Sequence, residues 1–231
     1  MSNFKSFDSI HGTFIVNIND HFHADALKQG ITHIEPELQM IYQEVDKLAD
    51  GSVIVDGGTN AGFVLIPIAQ RLRNKGAQTR IIGFEPQRVM HAAVSGSVVL
   101  NDLGKTCTVV NAALSDKIGT STIGLHDYTK HNDFGTPRVA DTSAAAWNVL
   151  DDSTVRTVTL DSLNLPRLDF LKLDVEGSEL RALRGGANII ARCRPVMWIE
   201  YPLVGIDNIR ANLTNYEVRA MDAANCLCVP R

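Results

Sequence analysis

Residues 53–63 read Val53-Ile54-Val55-Asp56-Gly57-Gly58-Thr59-Asn60-Ala61-Gly62-Phe63. The first three are β-branched and apolar, as in a buried strand, and an acid and a glycine-rich turn follow them. An apolar helical pattern begins directly after the turn. Strand, glycine turn and helix in this order are typical of the first unit of a nucleotide-type cofactor fold. The glycine spacing differs from the Gly-x-Gly-x-x-Gly fingerprint, which disfavours a nicotinamide dehydrogenase.

Strand and helix patterns alternate along most of the chain. The predicted strands are 12–18, 52–56, 80–85, 108–113, 154–160 (an edge strand), 168–174 and 196–200, the helices are 35–48, 61–75, 88–100, 178–191 and 206–213, and the final hairpin is 216–221 with 226–229. This alternation predicts an α/β fold, a mostly parallel sheet with helices on both faces and an antiparallel hairpin at the C-terminal end. We expect one domain, in which residues 1–50 form a strand and helix extension that packs on a cofactor-binding core of residues 51–231.

Four predicted strands end in acids, at Asp56, Glu85, Asp174 and Glu200. Ligands of parallel sheets bind beyond these strand ends, although a single acid there is often only a helix cap. Glu85 follows Gly62 by 23 residues, close to the ~20 expected for an acid that binds ribose hydroxyls. We therefore predict ribose binding by Glu85 rather than a surface role.

Several further motifs occur in order along the chain. They are Asp56-Gly57-Gly58-Thr59-Asn60-Ala61-Gly62, Phe84-Glu85-Pro86, Asn111-Ala112-Ala113-Leu114-Ser115-Asp116 and Leu171-Lys172-Leu173-Asp174-Val175-Glu176-Gly177-Ser178-Glu179, with Gly30 and Glu35-Pro36-Glu37 ahead of them. Together they resemble the FkbM family of S-adenosylmethionine (AdoMet) dependent methyltransferases. The resemblance implies a Rossmann-like class I methyltransferase fold with a seven-stranded sheet. It also implies O-methylation of a sugar or another small molecule.

The same resemblance implies AdoMet as cofactor, with its methionine part at the glycine turn. Asp56 is then expected to anchor that turn or to receive the ligand's ammonium group. The predicted cofactor-binding residues are Glu35, Asp56, Gly57, Gly58, Asn60, Gly62, Glu85, Pro86, Asn111, Ala112, Ala113 and Asp174. Pro86 would form an apolar wall against adenine. Asn60 and residues 111–113 have a simpler alternative, because Asn and small residues also suit turns and packed strand ends.

Asp174 and Glu176 are the predicted catalytic residues, since they follow a central strand where the methyl group would be transferred. The sulfonium is already activated, so the protein has to align the acceptor hydroxyl and remove its proton. The alternative is that Glu176 and Glu179 stabilise the turn and the start of the next helix. Lys172, between buried neighbours, is expected to pair with a nearby acid.

Residues 124–150 form a long polar segment, which predicts an acceptor-binding lid. Its candidate substrate-binding residues are His126, His131, Asn132 and Trp147, with either histidine a candidate base. His21 and His23 also place two imidazoles close together. Without a third ligand we interpret them as a polar surface loop and predict no metal.

The net charge of −4 and a pI near 6.0 favour neither nucleic acid nor an anionic membrane as partner. The longest apolar run is far shorter than the ~20 residues of a membrane helix, and no secretory signal is recognised. Four scattered cysteines form no disulfide framework, so a cytoplasmic location is expected. Two other functions stay open: a methyltransferase for nitrogen or a macromolecule, and a non-catalytic AdoMet-binding module.

Overall fold

The structure is a computed structural model that describes residues 3–20, 23–124, 126–135 and 154–231. In chain order its elements are β1 (Phe4–Ser9), β2 (Gly12–Asn17), α1 (His23–Leu27), α2 (Glu35–Val45), β3 (Val53–Gly57), α3 (Leu65–Asn74), β4 (Arg80–Phe84), α4 (Arg88–Leu100), β5 (Cys107–Val110), β6 (Ala113–Leu114), β7 (Gly119–Thr122), β8 (Thr154–Val158), β9 (Phe170–Leu173), α5 (Glu179–Gly185), α6 (Ala187–Cys193), β10 (Val196–Glu200), α7 (Ile206–Asn212), β11 (Tyr216–Ala220) and β12 (Asn225–Pro230). Within these described ranges, no helix is both long and apolar enough to cross a membrane.

A seven-stranded sheet forms the centre, with the strand order β11-β12-β10-β9-β3-β4-β5. β12 runs antiparallel to both of its neighbours, and the pairs from β10 to β5 are parallel. The predicted sheet and C-terminal hairpin are therefore confirmed. The chain fills one side of β3 first and then crosses to β9 on the other side. Ligands of such sheets bind in the crevice where the strand order reverses, here between β3 and β9.

Apolar side chains cover both faces of this sheet. Successive residues of a strand point to opposite faces, so Ile54 belongs to the buried cluster of Leu38 and Leu65. Its neighbour Val55 belongs to the cluster that contains Leu183 and Ile209. Full burial of such a side chain contributes ~1.5–3 kcal/mol. A slip of β3 by one residue would exchange the two clusters, which fixes its register and the position of the turn that follows.

Two sequence-based strand predictions were wrong in detail. The predicted edge strand became β8, which lies in the middle of a second, three-stranded sheet with the order β6-β8-β7. The polar strand β7 carries no apolar alternation and was not predicted. The predicted strand 108–113 divides at Asn111, whose side chain donates to the backbone oxygens of Glu85 and Pro86 at 2.8 and 3.0 Å.

The N-terminal segment begins with a hairpin of β1 and β2, where a single strand was predicted. The backbone nitrogen of Ile15 donates to Ser97 Oγ on α4 at 2.8 Å. Trp198 Nε1 of β10 donates to Glu37 Oε1 of α2 at 2.8 Å. These polar contacts join the segment to the sheet and its helices. The proposed division at residue 50 remains a prediction.

Candidate functional site

The glycine turn after β3 lies in close contact with the loop after β9. Gly58 has φ +78°, and a Cβ atom there would lie 1.7 Å from the carbonyl oxygen of Asp174. The Gly58 nitrogen donates to the oxygen of Phe84 at 3.1 Å. Only glycine fits this backbone conformation and this approach without a shift of one loop. The two loops therefore form one floor beneath the crevice at the centre of the sheet.

Glu85 follows β4 and is held by two backbone donors. Its Oε2 accepts from Asn60 N at 2.9 Å and its Oε1 from Gln87 N at 2.8 Å. The side chain is almost fully buried. Burial raises the pKa of Glu85 to about 7, against the opposing effect of these two donors. Each oxygen keeps a free lone pair, so the carboxylate can accept hydrogen bonds from a ligand's hydroxyls.

A buried lysine lies beneath the glycine turn. Lys172 Nζ donates to the oxygen of Gly58 at 3.0 Å and lies 3.1 Å from Asp174 Oδ2 and 3.5 Å from Asp56 Oδ1. Burial lowers the pKa of Lys172, but Asp174 and Asp56 outweigh it and the pKa rises. Burial raises the pKa of Asp56, and Lys172 opposes that rise. The predicted pairing of Lys172 with a nearby acid is thus confirmed, and Asp56 lies beneath the turn beside it.

The loop after β9 is shaped by two residues with positive φ, Glu176 at +54° and Gly177 at +90°. Glu179 Oε1 accepts from the nitrogens of Val175 and Gly177 at 2.9 and 3.2 Å. Glu179 is buried, and burial raises its pKa. These contacts support the stabilising role that the sequence left open for Glu179. They also hold Glu176 beside Asp174.

Three acids converge above this loop. Carboxylate oxygens of Asp174, Glu176 and Glu200 lie within 4.8 Å of one another. Burial, and then the charges of Asp174 and Glu176, raise the pKa of Glu200 to about 8. The spacing also suits a shared cation, so the prediction of no metal remains untested. The group creates a negative potential at the centre of the crevice.

Two adjoining clefts open at this point. The first, which we call the proline cleft, has a volume of about 430 Å³, and its walls include Pro86, Ala112 and Leu114. The second, the histidine cleft, has a volume of about 770 Å³ and includes His23 and His33. The residues that line both clefts are Gly58, Glu85, Gly135, Asp174 and Glu176. The clefts therefore form one continuous site, with an apolar and a polar half.

Most of the predicted cofactor residues lie in or directly beneath this site. Gly58, Glu85, Pro86, Ala112, Ala113 and Asp174 line the proline cleft, and Asn60 lines the histidine cleft. Gly57, Gly62 and Asn111 line neither cleft. A Cβ atom on Gly57 would lie 2.8 Å from Leu114 Cδ1, and one on Gly62 would lie 2.9 Å from Val94 Cγ2. Tight packing accounts for both glycines.

Other predicted residues have partners elsewhere. Glu35 accepts hydrogen bonds from His11 Nε2 and Thr32 Oγ1, both at 2.9 Å, and lines neither cleft. His126 Nδ1 lies 3.1 Å from Asn132 Nδ2, and neither residue lines the clefts. His131 is exposed and also lies outside the cleft walls. Trp147 lies outside the described residues. Their ligand contacts remain predictions.

The sequence analysis missed several residues of the site. His23 was expected in a polar surface loop, and the structure buries it at the start of α1; His21 lies outside the described residues. His33 and Asp133 also line the histidine cleft, as does Glu200, which the sequence analysis had placed at a strand end. The Asp20-x-x-His23 spacing was the available signal, because Asp is a preferred residue before a helix and its side chain accepts from the nitrogen of His23 at 3.1 Å.

The parallel sheet, the glycine turn at its centre and the acid after the second core strand define a class I methyltransferase fold. An FkbM methyltransferase from Methylobacillus flagellatus has a similar structure, with a TM-score of 0.57 and 19% identity over 89% of this chain and 52% of that protein. This chain thus spans about half the length of the Methylobacillus protein. The SAH-bound methyltransferase PaMTH1 of Podospora anserina matches with a TM-score of 0.51 and 9% identity, over 84% of this chain and 76% of that one.

Sequence comparison identifies the family. The profile described as the methyltransferase FkbM domain matches residues 56–219. Methyltransferase sdnD of Sordaria araneosa is 26% identical over 205 residues, which cover 74% of this chain and 77% of that protein. The chain belongs to the FkbM family of methyltransferases. The predicted family, and with it AdoMet as the family's cofactor, are confirmed.

Proposed function

We propose that this protein transfers a methyl group from AdoMet to a hydroxyl of a sugar or another small molecule. The observation that carries the proposal is the junction of the two clefts at Gly58 and Asp174. An apolar half suits a nucleoside, and a polar half suits a hydroxylated acceptor. The junction is where a donor in one half and an acceptor in the other would meet.

The walls of the proline cleft fit AdoMet. Glu85 has free acceptor positions for ribose hydroxyls, and Pro86 and Ala112 offer apolar surface to a base. Gly58 has no side chain and lines the cleft, so its backbone is accessible to a ligand at the floor. AdoMet, when bound, supplies a methyl group on an activated sulfonium. The acids at the junction give a negative potential that suits this cation.

The histidine cleft fits a small acceptor with several hydroxyl groups. Asn60, Asp133, Glu176 and His33 offer donors and acceptors around its wall. The Asn60 Oδ1 atom is buried and has no hydrogen-bond partner in the described part of the chain. A ligand hydroxyl would satisfy it. Asp174 and Glu176 are positioned to align such a hydroxyl at the junction.

The same charges argue against a nucleic-acid acceptor. The protein carries a net charge of −4, and five acids line the histidine cleft: Glu85, Asp133, Asp174, Glu176 and Glu200. Phosphate groups would be repelled there, whereas nucleic-acid sites are positively charged. A cytoplasmic location is part of the proposal, since all four cysteines are free.

Calorimetric titration with S-adenosylhomocysteine (SAH), AdoMet and NAD tests the donor site. We expect SAH and AdoMet to bind and NAD not to bind. Glu85→Ala should weaken SAH binding at least ~10-fold, because hydrogen bonds to a charged group are worth ~1.5–3 kcal/mol. Glu217→Ala, at an exposed position of β11, is the matched control and should change nothing. Absence of SAH binding would overturn the proposal.

The acceptor is tested with labelled AdoMet and a panel of glycosides, hydroxylated natural products, amines, RNA and protein. Transfer to a hydroxylated small molecule, located on oxygen by NMR of the product, supports the proposal. Transfer to nitrogen or to a macromolecule supports the first alternative function. SAH binding without turnover of any acceptor supports a non-catalytic AdoMet-binding module.

A further inference from the structure

A buried aspartate and histidine form a pair beside the histidine cleft. His23 Nδ1 lies 2.6 Å from Asp20 Oδ1, and the two side chains are only 6% and 3% exposed. The backbone nitrogen of His23 also donates to Asp20 Oδ1 at 3.1 Å. Asp20 precedes α1, and His23 is its first residue. One short segment thus fixes the carboxylate against the imidazole.

Aromatic contacts fix the imidazole plane. The His23 ring stacks on Phe63, with centroids 4.4 Å apart and planes 4° apart. His33 meets the His23 ring edge-on, with centroids also 4.4 Å apart. Phe63 directly follows the last glycine of the turn. The ring is therefore held in a defined position relative to the loop that would bind the donor.

The pair keeps its carboxylate ionised. Burial raises the pKa of Asp20, but the hydrogen bond and charge of His23, together with a hydrogen bond from the backbone of Phe134, lower it below its usual value. An ionised Asp20 at 2.6 Å from Nδ1 favours a proton on that ring nitrogen. Nε2 is the ring nitrogen left to accept a proton, and His23 lines the histidine cleft together with Asp174 and Glu176.

We propose that His23 Nε2 is the general base that accepts the proton of the acceptor hydroxyl, and that Asp20 positions it. The inference rests on the proposed function. The acceptor O–H bond breaks as the new O–CH₃ bond forms, and the sulfur keeps the electron pair of its broken bond to carbon. The proton moves to Nε2, and Asp20 stabilises the resulting imidazolium. Water then removes that proton.

This assignment separates the base from the predicted catalytic acids. Asp174 is already paired with Lys172 at 3.1 Å, and Glu176 belongs to the acidic group around Glu200. A proton accepted there would be shared within a network that stabilises the loop. Asp174 and Glu176 are then left to align the hydroxyl, and His23 receives its proton.

Turnover is measured for the full chain with the acceptor found by the panel above. His23→Gln should lower kcat by ~100-fold or more, with the SAH dissociation constant changed less than ~2-fold because His23 lies outside the proline cleft. Asp20→Asn should lower kcat at least ~10-fold, because an amide does not hold the same tautomer. Added imidazole should restore part of the activity of His23→Gly. His91→Gln is the matched control. His91 Nε2 lies 3.2 Å from the backbone oxygen of Val109, and the residue lines neither cleft, so full activity is expected.

A second measurement needs no acceptor. Two-bond ¹H–¹⁵N NMR of the histidine-labelled protein reports which ring nitrogen carries the proton, and His23→Gln assigns the signal. We expect His23 to be neutral with its proton on Nδ1. A proton on Nε2, or on both nitrogens at the pH of turnover, would overturn the inference.

The turnover assay can overturn it as well. It would do so if His23→Gln kept more than about a third of kcat, or if His33→Gln alone abolished kcat. Failure of SAH binding or of all methyl transfer by the unmodified protein would count against the proposed function instead.

Discussion

Lys172, the buried cation beneath the glycine turn, gives a quantitative prediction for the free energy of unfolding. Lys172 is 5% exposed and Asp56 is 2% exposed, with 3.5 Å between Nζ and Oδ1. At an effective dielectric constant of ~20, two charges at this distance attract by about 5 kcal/mol. Loss of one member of a buried pair leaves the other charge uncompensated, at a net cost of ~3–5 kcal/mol. We therefore expect Lys172→Met to lower the free energy of unfolding by that amount.

Urea unfolding followed by far-UV circular dichroism measures the change. Asp174 contributes less than its 3.1 Å distance from Lys172 implies, because it is 39% exposed and water screens it. Lys28→Met is the matched control. Lys28 pairs with Asp25 at 2.7 Å, but both side chains are more than half exposed, so a loss below ~0.5 kcal/mol is expected.

A double-mutant cycle separates the ion pair from simple packing. Asp56→Asn in the Lys172→Met background removes the stranded charge, so the double variant should be more stable than the sum of the single losses by ~2–4 kcal/mol. The loss in Lys172→Met should also shrink as pH falls. Burial raises the pKa of Asp56, and protonation at low pH removes the uncompensated charge in the folded state. A coupling energy below ~0.5 kcal/mol would refute the reasoning.

Three further predictions concern the turn, the donor site and the N-terminal segment. Gly58→Ala should destabilise the protein by at least ~2 kcal/mol in urea unfolding and weaken SAH binding, because the new Cβ would lie 1.7 Å from the Asp174 oxygen at a φ of +78°. SAH affinity, measured by calorimetry, should fall up to ~10-fold per pH unit below about 7. Under the proposed function, ligand hydroxyls bind the ionised form of Glu85, whose pKa is raised to about 7, so a proton competes with the ligand at low pH. Trp198→Phe should cost ~1–2 kcal/mol in urea unfolding, because Glu37 loses the donor at 2.8 Å. Normal SAH binding by Gly58→Ala would contradict the first prediction, and a pH profile unchanged by Glu85→Gln would contradict the second. Unaltered unfolding of Trp198→Phe would contradict the third.

Local sequence signals predicted the fold well where packing and sequence agree. β3, β4 and β9 are apolar runs that end in or next to acids, and every one of them lies in the main sheet. The signal failed for β7, whose residues Gly119–Thr122 are polar and mostly exposed. β7 forms because its neighbour β8 offers unpaired backbone groups for hydrogen bonding. The residues of β7 themselves carry no signal of that pairing.

The sequence by itself determined the family, the order of the main-sheet strands, and the residues of the proposed donor half of the site. The glycine turn, Glu85 and Asp174 lie within one repeating strand and helix pattern, so their positions follow from short-range order. Only the tertiary structure decided the proposed acceptor half. His23 and Asp174 are far apart in the chain, and they line one cleft because the N-terminal segment packs against the strand ends of the sheet. The buried Lys172 likewise depends on Asp56, a partner that the fold brings to it, because a charged group is tolerated inside a protein only beside its counter-charge.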